Sequence, residues 1–350
     1  SQQLRDDVPG ASRSTKVTIA QLAEQSGLSI ATVSKVLNGR PDVSAATRSR
    51  VEHLIASSGY RRRGSPVTAA PPLIDVVFEE FESPWAVEIV RGAVSAAQEE
   101  GLTVALTSLS EGDERRVWFD QITSRGTRGV ILLLSRLTPR QYDELRARRL
   151  PFVVIDPRGE PGREVSSVGA TNWAGGLAAT RHLLELGHRR VAMITGPADL
   201  LCSRARLDGY RAGLETAGLR VDSELVRWGD FHVGGGYEHG RALLRLANRP
   251  TAIFAGSDLQ ALGVLEAARE AGLRVPDELS LVGFDDLPLS RWASPSLTTV
   301  RQPLVEMAAL AVRIVLESSL TSEPDIRRVE LATDLVVRES TTEHRARRGT

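Results

Sequence analysis

The chain has a single cysteine, no excess of either charge and no long apolar run. Cys202 alone excludes a disulfide framework and any cysteine-based zinc site. No apolar run approaches the roughly 18 residues that a membrane-spanning helix needs. The longest, such as Val130 to Leu134, have the length of a buried strand. The first thirty residues are polar and dotted with arginine, with no apolar signal core, so a reducing cytoplasm is the expected address. The chain opens on Ser1 rather than Met, which leaves room for residues ahead of it.

Signatures of enzymes are missing too. Gly234-Gly235-Gly236 lacks the Lys-Ser/Thr of a phosphate loop, and no Gly-x-Gly-x-x-Gly follows the first apolar run. The six histidines (His53, His182, His188, His232, His239 and His344) include no pair at the helical spacing of metal ligands. His188 reads as a turn residue before a strand. No serine stands in a Gly-x-Ser-x-Gly elbow, and no carboxylate pair is marked out for acid–base work. Neither an enzyme nor a cofactor is expected.

What is present divides the 350 residues, 25% charged and 41% hydrophobic, into two or three folded units. Lysine plus arginine equals aspartate plus glutamate at 44 each, yet the balance is uneven along the chain. Residues 1–64 hold ten basic and five acidic side chains, a net +5 that leaves −5 for the rest. A neutral total conceals a basic head on an acidic body.

Residues 1–16 lack apolar periodicity and read as a tail. Over 17–64 the spacing is helical and predicts three helices, near 19–26, 30–37 and 45–58, with Thr18, Ser29 and Ser44 at N-cap positions. Gly27-Leu28-Ser29 makes the turn between the first two, small Ala23 allows a close crossing, and Val33 packs on Leu22. This is the geometry of a helix-turn-helix, whose second helix presents Ile30, Ala31, Ser34 and Lys35 to a major groove. Lys35 can donate to guanine O6/N7, while Ile30 and Ala31 offer apolar contact, as to a thymine methyl. Thr18, Ser29, Thr32, Ser34 and Asn38 can reach phosphates. The plainer reading of the same spacing is a small helical bundle with a solvated basic face.

Arg61-Arg62-Arg63-Gly64-Ser65-Pro66 and the prolines up to Pro72 resist helix and make a linker over 65–72. From Leu73 short apolar runs alternate with amphipathic helices. The strands are Leu73–Phe78, Leu102–Thr107, Gly129–Leu134, Phe152–Asp156, Val191–Ile194, Ala252–Ala255 and Leu281–Phe284. The helices are Trp85–Glu99, Glu114–Ser124, Gly175–Leu186, Arg204–Ala217, Gly240–Leu246 and Leu259–Ala271. That alternation predicts parallel sheets covered on both faces, and its length predicts two α/β lobes with a cleft at their strand ends.

Polar and aromatic residues at those ends form a sugar-binding set. Asp156 and Asp285 can each accept two hydroxyls, Arg206 donates in a fork, Ser257 adds a hydroxyl, and Trp85 and Phe231 can cover an apolar ring face. Packing between lobes is the alternative for the two aromatics. Asp258 reads as a helix cap and Asp286 as a cap of the loop to Pro288. Trp292 follows a loop near the same rim and is left out of the set.

Val17-Thr18-Ile19-Ala20-Gln21-Leu22-Ala23, Ser29-Ile30-Ala31-Thr32-Val33-Ser34-Lys35-Val36-Leu37-Asn38-Gly39 and Ser57-Ser58-Gly59-Tyr60 resemble the lactose-repressor (LacI/GalR) family of bacterial transcription factors. The similarity continues through Gly187-His188-Arg189-Arg190-Val191-Ala192, Arg206-Leu207-Asp208-Gly209-Tyr210, Ser257-Asp258, Ser280 to Asp286 and Leu297 to Pro303, and covers about residues 17–338. The resemblance implies a helix-turn-helix head and a periplasmic-binding-protein-like body over 73–338. Its N-lobe would take about 73–169 and 303–325, its C-lobe about 170–302 and 326–338, and 339–350 would form a second tail. It also implies a homodimeric repressor on a pseudo-palindromic operator, controlled by a small molecule between the lobes. Arg206, Phe231, Ser257, Asp156 and Asp285 fall where the family's effector contacts lie, although asparagine is more usual at Ser257. Gly59-Tyr60-Arg61-Arg62-Arg63 and Phe81-Glu82-Ser83-Pro84-Trp85 resemble actinobacterial regulators of plant-polysaccharide use, which implies a xylo- or cello-oligosaccharide. A purine corepressor is the alternative effector; a solute-binding or architectural protein is the alternative class.

One departure stands out. The family's hinge helix carries an Ala-Arg-x-Leu pattern whose leucine wedges into the minor groove, and here no leucine occurs between Tyr60 and Leu73. Arg61, Arg62 and Arg63 either track phosphates or a narrow minor groove in its place, or form a solvated linker. If they neutralise phosphates, replacing each by alanine lowers the slope of log affinity against log salt by about 0.9 in a titration of duplex operator. An unchanged slope assigns them to the linker.

Overall fold

A computed structural model describes residues 18–37, 43–44, 47–51, 54, 72–78, 83–108, 118–119, 121–122, 125–134, 138–160, 162–319 and 325–344. The chain divides into two compact units, Ser1–Ala70 and Pro71–Thr350.

In the first unit α1 (Ile19–Ser26) opens on a capping box: Thr18 accepts from the Gln21 N–H, and the Gln21 side chain accepts from the Thr18 N–H. Gly27 ends it in the left-handed conformation at φ 66°, which a side chain would disfavour. Ser29 then caps α2 (Ile30–Leu37) by accepting from the Thr32 N–H at 3.1 Å. Leu22, Ala23, Val33, Val36 and Val51 form one small core, with Ile19, Leu28, Val43 and Leu54 packed around it. Of the third expected helix, residues 47–51 and 54 are helical and Ser44 caps its start through the Thr47 N–H. The rest of that helix, both expected tails apart from 339–344, and the linker up to Pro71 lie outside the described residues.

The second unit contains two six-stranded sheets. The first is built from β1 (Leu73–Phe78), β2 (Thr103–Ser108), β3 (Thr127–Leu133), β4 (Phe152–Ile155), β5 (Ser166–Ala170) and β11 (Arg328–Leu331), all parallel, in the order β11-β5-β4-β3-β1-β2. The second holds β6 (Val191–Thr195), β7 (Val226–Trp228), β8 (Ala252–Ala255), β9 (Ser280–Asp285), β10 (Thr298–Arg301) and β12 (Asp334–Val336), in the order β12-β10-β9-β8-β6-β7. Only β12 runs antiparallel there, against β10.

Helices cover both faces of each sheet, which is why the central strands are buried throughout. On the first sheet α3 (Pro84–Glu99) and α9 (Leu304–Ser318) bury Ile89, Ala93, Met307 and Ala311 against Ile74 and Val76. The opposite face buries Trp118, Phe119 and Ile122, with Leu145 of α4 (Pro139–Ala147), against Val77 and Val130. Asp75 interrupts the apolar run of β1 and is fully buried. Its carboxylate accepts from Thr107 Oγ1, Thr127 Oγ1 and Arg125, so the charge is paired and hydrogen-bonded.

On the second sheet α5 (Asn172–Glu185) and α6 (Leu201–Thr216) cover one face, α7 (Val233–Leu244) and α8 (Asp258–Glu270) the other. Both pairs cross on glycines. A Cβ on Gly209 would fall 2.2 Å from Trp173 O, and one on Gly236 would fall 2.2 Å from Gln260 O. The helix α7 begins at Val233 rather than near Gly240: Gly236 of the triple glycine is its contact point with α8, and the triplet does not break the helix.

The chain passes between the sheets after β5, after β10 and after β11. Arg328–Leu331 pairs with β5, so the third crossing lies at 332–333, later than the expected boundary at 325/326. The expected frayed tail from Glu339 is also corrected in part. Ser340 is fully buried, its carbonyl accepting from the Leu281 N–H, and the His344 N–H donates to Leu186 O. His188 is a buried post, not a plain turn residue: its ring bonds Thr251 and Ser280 hydroxyls and Thr342 O.

Gly209→Ala is expected to destabilise the body by about 1–3 kcal/mol in urea unfolding, because its methyl meets backbone that cannot move aside. Gly234→Ala, with nothing within 4 Å of the added methyl, should instead leave stability unchanged or raise it by up to about 1 kcal/mol.

Candidate functional site

In the first unit the second helix turns one face outward. Ile30 is 57% exposed, Ala31 and Lys35 are exposed, and Thr32 and Ser34 are half-buried. The hydroxyls of Thr18, Ser29 and Thr32 already serve the helix starts, Ser29 Oγ lying 2.9 Å from Thr32 Oγ1. They fix the two N-termini, whose backbone N–H groups favour an anion. Asn38, Arg61, Arg62 and Arg63 lie outside the described residues.

In the second unit the two sheets enclose a cleft of about 300 Å³ at the carboxyl ends of their strands. Trp85, Asp156, Arg206, Phe231, Ser257 and Asp285 all line it. Arg206, on α6 and only 3% exposed, is its centre. Its Nε donates to Asn172 Oδ1 at 2.8 Å and its Nη1 to Gly256 O at 2.5 Å. The guanidinium lies 3.8 Å from the centroid of Phe284, 5.2 Å from that of Phe231, and Nη1 is 3.9 Å from Asp285 Oδ1. Stacking on two rings and bonds to two fixed acceptors leave it little freedom.

Two buried carboxylates face this one cation. Burial raises Asp156 to about 6 against the pull of Arg206, with nearby Glu330 adding to the rise. Burial raises Asp285 to about 7, again opposed by Arg206 and by a hydrogen bond from Gln302 Nε2, and helped upward by Asp156. Asp156, Phe231 and Asp285 adopt positive φ, 50°, 68° and 118°, as does the cleft residue Leu134 at 47°. Non-glycine residues rarely do so, and such strain gathers at functional sites.

Phe231 stands over Gly196, where any Cβ would come within 2.1 Å of the ring. Ser257 holds it from the other side: its hydroxyl donates to Phe231 O at 3.0 Å and accepts from the Gln260 N–H as the cap of α8. Its hydroxyl therefore positions Phe231, and its donor is already engaged. The expected cap, Asp258, is instead buried one residue inside the helix, accepting from the Leu287 N–H and Thr299 Oγ1. Asp286 caps no helix; it is gripped by Arg301 and Arg338, which hold it below the ordinary carboxylate value. Trp292 is 87% exposed and does not line the cleft.

The sequence reading missed Arg158, Asp230 and His232 on the cleft wall. Arg158 lies two residues past Asp156 and follows the same strand-end rule; Asp230 and His232 follow β7, a three-residue strand with no apolar run to reveal it. Cys202 also lines the cleft, but burial pushes its thiol up to about 12, so no thiolate forms near neutral pH.

A helix-turn-helix unit and a two-lobed α/β body with a polar, aromatic cleft define a ligand-responsive DNA-binding regulator. Comparisons with known proteins agree. The model for bacterial regulatory proteins of the lacI family matches residues 18–63, and that for a periplasmic binding protein-like domain matches 180–341. The HTH-type transcriptional regulator CelR of Thermobifida fusca is 34% identical over 337 residues, covering 94% of this chain and 99% of the relative. The solved transcriptional regulator CelR–cellobiose complex, 34% identical, superposes with a TM-score of 0.72 over 93% of this chain and 100% of that one. The lac repressor dimer bound to operator and the anti-inducer ONPF, 26% identical, gives 0.76 over 94% and 100%. The chain belongs to the lacI family of bacterial regulatory proteins: it is a DNA-binding transcriptional repressor with an effector-binding body, and not an enzyme. No helix among the described residues is long and apolar enough to cross a membrane.

Because both carboxylates are raised, folding favours their protonated forms. That contribution is complete below their ordinary value of 3.8 and is lost as pH rises through about 6 for Asp156 and about 7 for Asp285. Asp156→Asn and Asp285→Asn should each gain stability over the parent, by on the order of 1–3 kcal/mol, as pH rises from about 5 to 8. His182 and His188, held below the usual imidazole value by burial, act in the opposite sense, so the variant-minus-parent difference in urea unfolding is the quantity to follow. A difference flat with pH would refute the charged cleft.

Proposed function

We propose that this repressor governs carbohydrate-utilisation genes and that its effector is a small sugar, with a β-linked disaccharide such as cellobiose the first candidate. The observation that carries this reading is Arg206 beside buried Asp285 and beneath Phe231, with buried Asp156 and Trp85 lining the same cleft. A fork of donors, carboxylate acceptors and aromatic faces are what a pyranose ring with its hydroxyls requires. The similarity to a regulator solved with cellobiose supports the choice.

Trp85, Asp156, Arg206, Phe231 and Asp285 would touch the sugar, with Ser257 supporting Phe231. Ile30, Ala31, Ser34 and Lys35 would read base edges in one half-site of a pseudo-palindromic operator, with Thr18, Ser29, Thr32, Asn38 and Arg61–Arg63 along the phosphates. The protein works as a homodimer in the cytoplasm, where its operator is. Effector and operator are coupled because the sugar favours one lobe angle and the operator another, a difference typically of about 1–3 kcal/mol.

A melting screen of mono- and disaccharides beside nucleobases tests the effector class. A ligand at a hundred times its dissociation constant adds about 2.7 kcal/mol of stability. Cellobiose is expected to raise the midpoint and to release labelled operator in fluorescence anisotropy, and Asp285→Asn should lower its affinity at least tenfold. A shift with nucleobases alone would replace the sugar by a purine corepressor; no shift with any of them would remove the sensor reading.

A further inference from the structure

Besides the three crossings of the chain and the packing of Leu287 and Leu289, from the loop after β9, on the core of the first sheet, the lobes share a polar link. The loop after β4 belongs to the first sheet and the loop after β6 to the second. Between them Arg158 and Leu200 form an isolated antiparallel bridge, and the Gly159 N–H donates to Asp199 O at 2.9 Å. The Arg158 side chain reinforces this link. Its Nε donates to Leu134 O of its own lobe at 3.0 Å, which aims the guanidinium, and Nη1 pairs with the Asp199 carboxylate of the other lobe. Arg158 and Leu200 line the cleft, so this contact forms part of its wall.

We propose that the Arg158–Asp199 contact is a releasable clasp between the lobes, which restrains how far the cleft opens. Its composition suits release. The Arg158 side chain is 16% exposed and that of Asp199 is 61% exposed, so solvent and salt reach the pair from the Asp199 side and weaken it. The main-chain bonds at 158–159 are likewise few and at the edge, with no ladder behind them. Opening of the lobes must break this contact, because its two halves sit on different sheets; the three covalent crossings can only bend. Arg158 and Asp199 are thus positioning residues for the effector response.

The test measures lobe separation in the full-length protein and needs no effector, so it stands or falls apart from the sugar assignment. Spin labels on Ala147→Cys of α4 and Ala242→Cys of α7, both exposed, report the distance between lobes. Asp199→Ala and Arg158→Ala should each broaden the distribution toward longer distances, as should raising salt on the parent. The exchanged pair Arg158→Asp with Asp199→Arg should restore the parent distribution, which loss of local packing could not do. Superimposable distributions for parent and Asp199→Ala, or single variants that shift without recovery in the exchanged pair, would overturn the clasp.

Discussion

Arg206 is the cation around which the body is assembled. Its guanidinium is tied to the first residue of α5, to the carbonyl before the cap of α8, and to the rings of Phe284 and Phe231. A charge this deeply buried must be compensated, and the compensation comes from Asp285 nearby and Asp156 across the cleft. The cleft lining holds the guanidinium groups of Arg206 and Arg158 and the carboxyl groups of Asp156, Asp230 and Asp285, so carboxyl groups outnumber cations there. That surplus is what a ligand rich in hydroxyl groups can satisfy, and it links the stability of the body to what fills it.

The surroundings of Arg206 hold strain that an ordinary core would have shed. Four cleft residues with side chains sit at positive φ, and Phe231 keeps its place only because Gly196 has no Cβ beneath it. Glycines do the same work between helices, where α5 meets α6 and α7 meets α8 at backbone contact distance. The lobes are therefore stiff units, and motion is left to the crossings and to weaker ties such as that between Arg158 and Asp199.

The DNA-reading unit was the most legible part. Capping residues at Thr18 and Ser29, the turn glycine at 27 and the apolar spacing of Leu22, Ala23, Val33 and Val36 are local signals, and the structure uses each of them locally. The central strands were as clear, because a strand buried on both faces is a short apolar run. The two outermost strands at one end of each sheet were not: β11 and β5, and β12 and β10, are rich in serine, threonine, glycine or charge and exist because a neighbour already offers its edge. For the same reason the third crossing was placed too early and 339–344 was taken for a tail, although Ser340 is fully buried.

By itself the sequence determined the kind of protein, since a capped helix pair with a basic outer face and alternating buried strands and helices admit few architectures. It also singled out six residues of the cleft, because parallel strands end where ligands bind. Only the tertiary structure decided what those residues do. Ser257 became the prop of Phe231, Asp258 left the cap for the interior, and Asp156 and Asp285 were raised together by a burial that no local pattern encodes. Periodicity reports which face of an element is covered. The hydrogen bond a side chain makes, and the water it loses, depend on partners brought from distant parts of the chain.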